Sequence, residues 1–165
     1  MLFRSRDAEI VFDVGANAAI YSLAAIAANK NAQVYAFEPT PEIADGINNT
    51  VKLNDLARLR VCRLAVTDRD GVASLNRYHG GDKADNDGMN FVTLESKTAD
   101  SVTVPTTSID SFCHAHAIAR IDLMKIDVQG HEASVLRGAE KMLAAGSIGT
   151  IFLELNWAEI GRAHV

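Results

Sequence analysis

Asp13-Val14-Gly15-Ala16-Asn17 puts an acid and one glycine where a short buried strand meets an amphipathic helix. A dinucleotide fingerprint needs two further glycines, so that backbone can touch the pyrophosphate and the helix can pack closely. Ala18 and Ala19 follow instead, and no G-K-[ST] is present to make a P-loop. Glu38 stands 23 residues after Gly15, at the end of the next apolar run, and suits the two hydroxyls of a ribose. A ribose ligand without phosphates fits S-adenosylmethionine (SAM). The same spacing also fits a glycine turn and a surface acid in an unrelated α/β fold.

A second cluster, Asp127-Val128-Gln129-Gly130-His131-Glu132, follows another apolar run. Asp127 is the leading candidate for a base that takes a proton from a hydroxyl, and His131, an imidazole after the same strand, is a second candidate. A lone histidine beside a glycine is more often incidental. His114 and His116 lie two apart on a predicted helix, face different ways and make no metal clamp. Asp82 to Gly88 has calcium-loop residue types. An EF-hand register ending on Gly88, however, puts Lys83 at the first ligand and Leu94 where a glutamate is required. No metal is expected.

The elements that position these residues alternate. Ile10–Val14, Gln33–Phe37, Leu59–Val66, Leu123–Val128 and Ile151–Leu155 read as buried strands. Asn17 to Ala28 reads as a helix with Ile20, Leu23, Ala24 and Ala27 on its inner face. Thr40-Pro41-Glu42 starts a second helix that runs to about Lys52. Thr107 to His116 is a short helix, with Thr107 as cap and Asp110 completing a capping box. Glu132 to Ala145 is a helix stopped by Gly146. Val72–Asn76 and Ser101–Val104 read as antiparallel strands around a long loop, Tyr78 to Asp100. This order predicts a Rossmann-like doubly wound, mostly parallel α/β sheet with an antiparallel pair inserted after the third strand. Ligands then bind beyond the carboxyl ends of the strands.

Composition agrees with one ordinary globular domain: 165 residues, 48% hydrophobic, 22% charged and a net charge of -5. The acidic balance, without a basic run, argues against nucleic acid and anionic membrane as partners. Cys62 and Cys113 share no C-x-x-C spacing and read as reduced, buried thiols. No apolar run reaches the ~20 residues of a membrane span, and the charged N-terminus is no signal peptide, so the chain reads as cytoplasmic. Glu159 to Val165 matches the translation of a sequencing-adapter oligonucleotide. Residues 1–157 are therefore read as one partial domain and 158–165 as a non-native tail.

Four blocks carry a family resemblance: Asp13 to Ser22, Phe37 to Pro41, Leu64 to Gly71 and Lys125 to Ala139. Together they resemble FkbM-type SAM-dependent methyltransferases from about Ile10 to Glu154. The resemblance implies the class I methyltransferase fold, with five of its seven strands identified here and two expected beyond Trp157. It implies that Asp13 and the Gly15-Ala16-Asn17 turn hold the methionine part of SAM, that Glu38 holds the ribose, and that Asp68 lies near the adenine. Asp127 and Glu132 would face the methyl group and the acceptor. Asn156 and Trp157, after the fifth strand, read either as lining of the acceptor pocket or as simple packing at the cut end of the chain. Two positions depart from the family pattern. Ala19 replaces a glycine and is expected to put a methyl group near the ligand; Gln129 replaces a glutamate and loses its charge. The expected activity is O-methylation of a hydroxyl on a small molecule or sugar. A non-catalytic or inactive fragment, motivated by Ala19 and the absent strands, stays open. A nicotinamide-dependent oxidoreductase is disfavoured by the single glycine. The sequence sets no oligomeric state.

Overall fold

The computed structural model describes residues 7–76, 91–93 and 101–154. The long loop's remaining residues, the calcium-like stretch, Asn156, Trp157 and the expected tail lie outside the described residues. The main sheet has five parallel strands in the order β3-β2-β1-β8-β9. They are β1 (Ile10–Val14), β2 (Gln33–Phe37), β3 (Leu59–Cys62), β8 (Ile121–Ile126) and β9 (Ile148–Leu153). Chain order reverses between β1 and β8, so a crevice opens at their carboxyl ends.

Alternation along the central strand separates two cores. Phe12 and Val14 face Phe37, Phe112, Ile126 and Val135, where Phe37 and Phe112 meet edge to face at 4.8 Å. Val11 faces Ala25, Val34, Ile47 and Leu123 on the other side. Helices α1 (Ile20–Ala28) and α2 (Pro41–Leu53) cover the second face. On the first face lie α3 (Ile109–Ala115), α4 (Glu132–Arg137) and α5 (Glu140–Ala144). A parallel sheet covered on both sides needs apolar strands throughout, and these have them.

The helix starts of the sequence reading are partly revised. Thr40 is the N-cap of α2, with Pro41 in the first turn. Helix α1 begins at Ile20, not Asn17, because Asn17 and Ala19 are left-handed, at φ 46° and 57°. Its buried face is Ser22 and Ala25, while Ile20 is 69% exposed. The face turns because the Ser22 N–H and hydroxyl both donate to the Asp13 carboxylate, which draws that side inward. Ser108, not Thr107, caps α3 by accepting from Ser111 N–H at 3.1 Å.

Asp110 makes no capping box. Its carboxylate accepts from the Lys141 and Met142 N–H groups at 2.9 and 3.0 Å, capping α5 from another element. The expected helix 132–145 is broken at Gly138 and Ala139, where the Gly138 carbonyl accepts from Asp110 N–H.

The expected strand 59–66 divides between two sheets. After β3 the chain turns, with Leu64 N–H donating to Cys62 carbonyl, and β4 (Ala65–Val66) joins a small sheet ordered β4-β7-β5-β6. There β5 (Gly71–Asn76) and β7 (Ser101–Thr107) form the predicted antiparallel pair. A third strand, β6 (Phe91–Thr93), arises within the stretch read as loop. Cys62 and Cys113 are free thiols, and burial pushes both up to about 11, so neither is a ready nucleophile. Among the described residues, no helix is long and apolar enough to cross a membrane.

Candidate functional site

A cleft open to solvent lies at the carboxyl ends of β1, β2 and β8. Gly15, Asn17, Glu38, Asp127 and His131 line it. Five of the sequence-predicted site residues thus meet in one place.

The glycine turn is built by close contact. Gly15 has φ 76°, and a Cβ there would sit 1.9 Å from the Asp127 carbonyl oxygen. Only glycine lets the turn after β1 pass the end of β8 at this distance. The Gly15 and Ala16 N–H groups donate to the Phe37 carbonyl at 3.1 and 2.9 Å, fixing the turn to β2. Glu38 is 5% exposed. Its two oxygens accept from Asn17 N–H at 3.0 Å and Thr40 N–H at 2.8 Å. Burial raises its carboxyl above the ordinary range, and these two donors oppose the rise. The Thr40 side chain is a further donor to this carboxylate, which leaves it acceptor capacity for a ligand hydroxyl.

Asp127 is held from two sides. Gln129 Nε2 donates to Oδ1 at 2.8 Å, and the Lys125 ammonium lies 3.3 Å from Oδ2. The following turn is tight, with Gln129 at φ 51° and Gly130 at φ 100°. Glu132 stabilises it: one carboxylate oxygen accepts from Val128 and Gly130 N–H groups at 3.3 and 3.1 Å.

Four predicted residues do not line the cavity. Asp13 is 1% exposed beneath it, with Oδ2 accepting from Ser22 and Oδ1 3.4 Å from Lys125 Nζ. Burial raises its carboxyl, and the Lys125 charge opposes this. Ala16 is buried in the core. Asp68 pairs with Arg69 at 3.2 Å, and Glu132 serves the backbone as described. Ala19, the N-cap of α1, is likewise 1% exposed, packs in the core and is not among the residues that line the cavity.

Sequence reasoning missed two features. Leu64, Val66 and Leu75 add an apolar wall to the cavity; Leu75 reaches it from the small sheet, which no local pattern discloses. Lys125 carried no assigned role, although a cation inside Leu123-Met124-Lys125-Ile126 was a readable signal. A lysine in a strand buried on both faces needs a partner. Among the described residues, no group of three metal-ligating side chains occurs.

The sequence matches the Methyltransferase FkbM domain over residues 13–164, almost the whole chain. The chain belongs to the FkbM methyltransferase family. Three curated relatives are similar to this FkbM chain. The 2-O-methyltransferase NoeI of Sinorhizobium fredii is 25% identical over 81% of this chain and 58% of its own length. The 31-O-demethyl-FK506 methyltransferase FkbM of Streptomyces tacrolimicus is 28% identical over 82% and 61%. The hexuronic acid methyltransferase AglP of Haloferax volcanii is 29% identical over 94% and 59%. The chain thus spans about three-fifths of the length of these relatives.

Two solved structures share the fold. The FkbM methyltransferase of Methylobacillus flagellatus KT superposes with TM-score 0.59 at 16% identity, covering 84% of this chain and 31% of that one. The precorrin-6y C5,15-methyltransferase of Geobacter metallireducens GS-15 gives 0.55 at 13%, covering 98% and 63%. Both support the class I methyltransferase fold for this FkbM domain.

Proposed function

We propose that this FkbM domain binds SAM and transfers its methyl group to a hydroxyl of a small molecule or sugar. The observation that carries the reading is the cavity at the switch point, where the tight Gly15 turn, the buried Glu38 carboxylate and Asp127 converge. The residues present fit the cofactor. Glu38 has acceptor capacity for a ribose hydroxyl, the Leu64, Val66 and Leu75 wall suits an adenine face, and nothing in the turn is built for a pyrophosphate.

Bound SAM supplies a methyl group on a positively charged sulfur. The protein's part is to hold an acceptor oxygen in line with that carbon, and such positioning is worth roughly 7–11 kcal/mol. Glu38 and the Gly15 turn bind and orient on one side. Asp127 receives the acceptor's proton as the oxygen attacks, a role typically worth about 100- to 10,000-fold. His131, at the rim of the same cavity, is the second candidate for that proton. Asp13 and Glu132 support the two turns from behind, and Asp68 contributes at most at the periphery. The names of the relatives support a hydroxyl acceptor, in that two specify O-methylation and one a hexuronic acid.

Calorimetric titration with S-adenosylhomocysteine (SAH), with NADH as control, tests the reading. Micromolar binding of SAH alone is expected, with Glu38→Ala and Asp13→Ala both abolishing it. Unchanged affinity in both variants, or preferential NADH binding, would refute the assignment.

A further inference from the structure

Lys125 projects from the middle of the sheet, where β8 pairs Lys125 with Asp13 of β1. It is 7% exposed, so its ammonium has little access to water and must be satisfied by protein. Four groups surround it. The Gly15 carbonyl accepts from Nζ at 2.8 Å. Asp13 Oδ1 lies at 3.4 Å and Asp127 Oδ2 at 3.3 Å. The Tyr21 ring centroid is 5.0 Å away, within cation–π range. Two of these groups, Gly15 and Asp127, belong to residues that line the cavity from opposite loops.

The same loops touch directly, since the Gly15 turn packs against the Asp127 carbonyl and Asp127 N–H donates to the Val14 carbonyl at 3.0 Å. The ammonium therefore closes a second link between them on the side-chain level. We propose that Lys125 is a positioning residue that ties the Gly15 turn to the Asp127 carboxylate, so that cofactor binding and the aim of Asp127 depend on one another. One ammonium hydrogen-bonded to the Gly15 turn and ion-paired with Asp127 means that movement of the turn is felt by Asp127 Oδ2. Reciprocity of linkage means that a change at Asp127 is felt by the cofactor. With Gln129 holding Oδ1, Asp127 is fixed by one donor that belongs to its own loop and one shared with the turn.

This inference rests on the SAM reading above. Its test is a double-mutant cycle on SAH affinity, measured by calorimetry with the full chain: wild type, K125M, D127N and K125M/D127N. Circular dichroism checks that each variant is folded. K125M is expected to weaken SAH binding by about tenfold or more, the scale of one charge-assisted hydrogen bond. D127N is expected to weaken binding in the wild-type background and to have little further effect once Lys125 is gone. K125R, which keeps the charge, is expected to recover part of the loss. Should K125M not fold, because it strands a buried Asp13 charge, the cycle is run with K125Q in place of K125M, which removes the charge but keeps a donor. Equal losses from D127N in both backgrounds, or K125R binding as weakly as K125M, would overturn the coupling. A wild-type chain that binds no SAH would instead sink the cofactor reading, and the coupling with it.

Discussion

Four glycines separate two costs that usually arrive together. At Gly15 the backbone is left-handed and an added Cβ would strike the Asp127 carbonyl oxygen at 1.9 Å. Gly146 shares the first condition only, with φ 63° and nothing within 4 Å. Gly138 shares the second only, with φ -70° and the Thr67 carbonyl oxygen at 2.1 Å. Gly46, inside α2, shares neither. A left-handed L-residue costs roughly 1–2 kcal/mol, offset by about 0.4–1 kcal/mol from the stiffer unfolded chain. Gly146→Ala should therefore destabilise by about 1 kcal/mol. Overpacking against backbone costs about 1–3 kcal/mol, which is the expectation for Gly138→Ala. Gly15→Ala should then cost about 2–4 kcal/mol, and Gly46→Ala should stabilise by about 0.5–1 kcal/mol. Urea unfolding of the four variants measures the series. Gly15→Ala alone should also lower SAH affinity, because separating the turn from Asp127 deforms the cavity floor. A Gly15→Ala cost no larger than that of Gly146→Ala would show that the close approach of the two loops is wrong.

Lys125→Met should destabilise by about 3–5 kcal/mol at neutral pH by stranding a buried carboxylate. Burial raises the Asp13 carboxyl and Lys125 opposes this, so without the lysine it rises further and the variant's folded state takes up the proton before the wild type or the unfolded chain does. The deficit should thus shrink as pH falls from 7 toward 5; urea midpoints showing a constant or growing deficit would contradict this. Ala19→Gly relieves a left-handed residue but loses a buried methyl group worth about 0.8 kcal/mol and gains unfolded-state entropy. It should leave stability within about 0.5 kcal/mol and SAH affinity unchanged, and a tenfold gain in affinity would put that methyl group in the site. Asp110→Ala should cost about 1–2 kcal/mol through the uncapped start of α5, with protection of the Lys141 and Met142 amides in hydrogen exchange falling most. Loss of protection confined to α3 would favour a local capping box instead.

Much of this architecture follows from short stretches of chain. An apolar run ending on Gly15, and another ending on Glu38-Pro39, mark strand ends, because burial on both sides demands continuous apolar residues and a sharp turn demands glycine or proline. In a parallel sheet every such end lies at the same pole, so Gly15, Asn17, Glu38, Asp127 and His131 were bound to be neighbours. Thr40 and Pro41 mark the start of α2 for equally local reasons.

Other features depend on partners distant in the chain. Nothing in Leu59 to Val66 says that the strand will divide between two sheets, since β4 is defined by pairing with β7, about 40 residues later. Asp110 looks like a local cap and instead serves α5, 31 residues away. The buried face of α1 is one residue off its apolar periodicity because Asp13 holds Ser22. Lys125, Asp13 and Asp127 are anomalous charges one by one, and only sheet register places them around a single ammonium. Periodicity and turn chemistry report what each segment can bury and how it can bend. The partner that completes a buried hydrogen bond or ion pair is set by register and topology, and that choice belongs to the folded molecule.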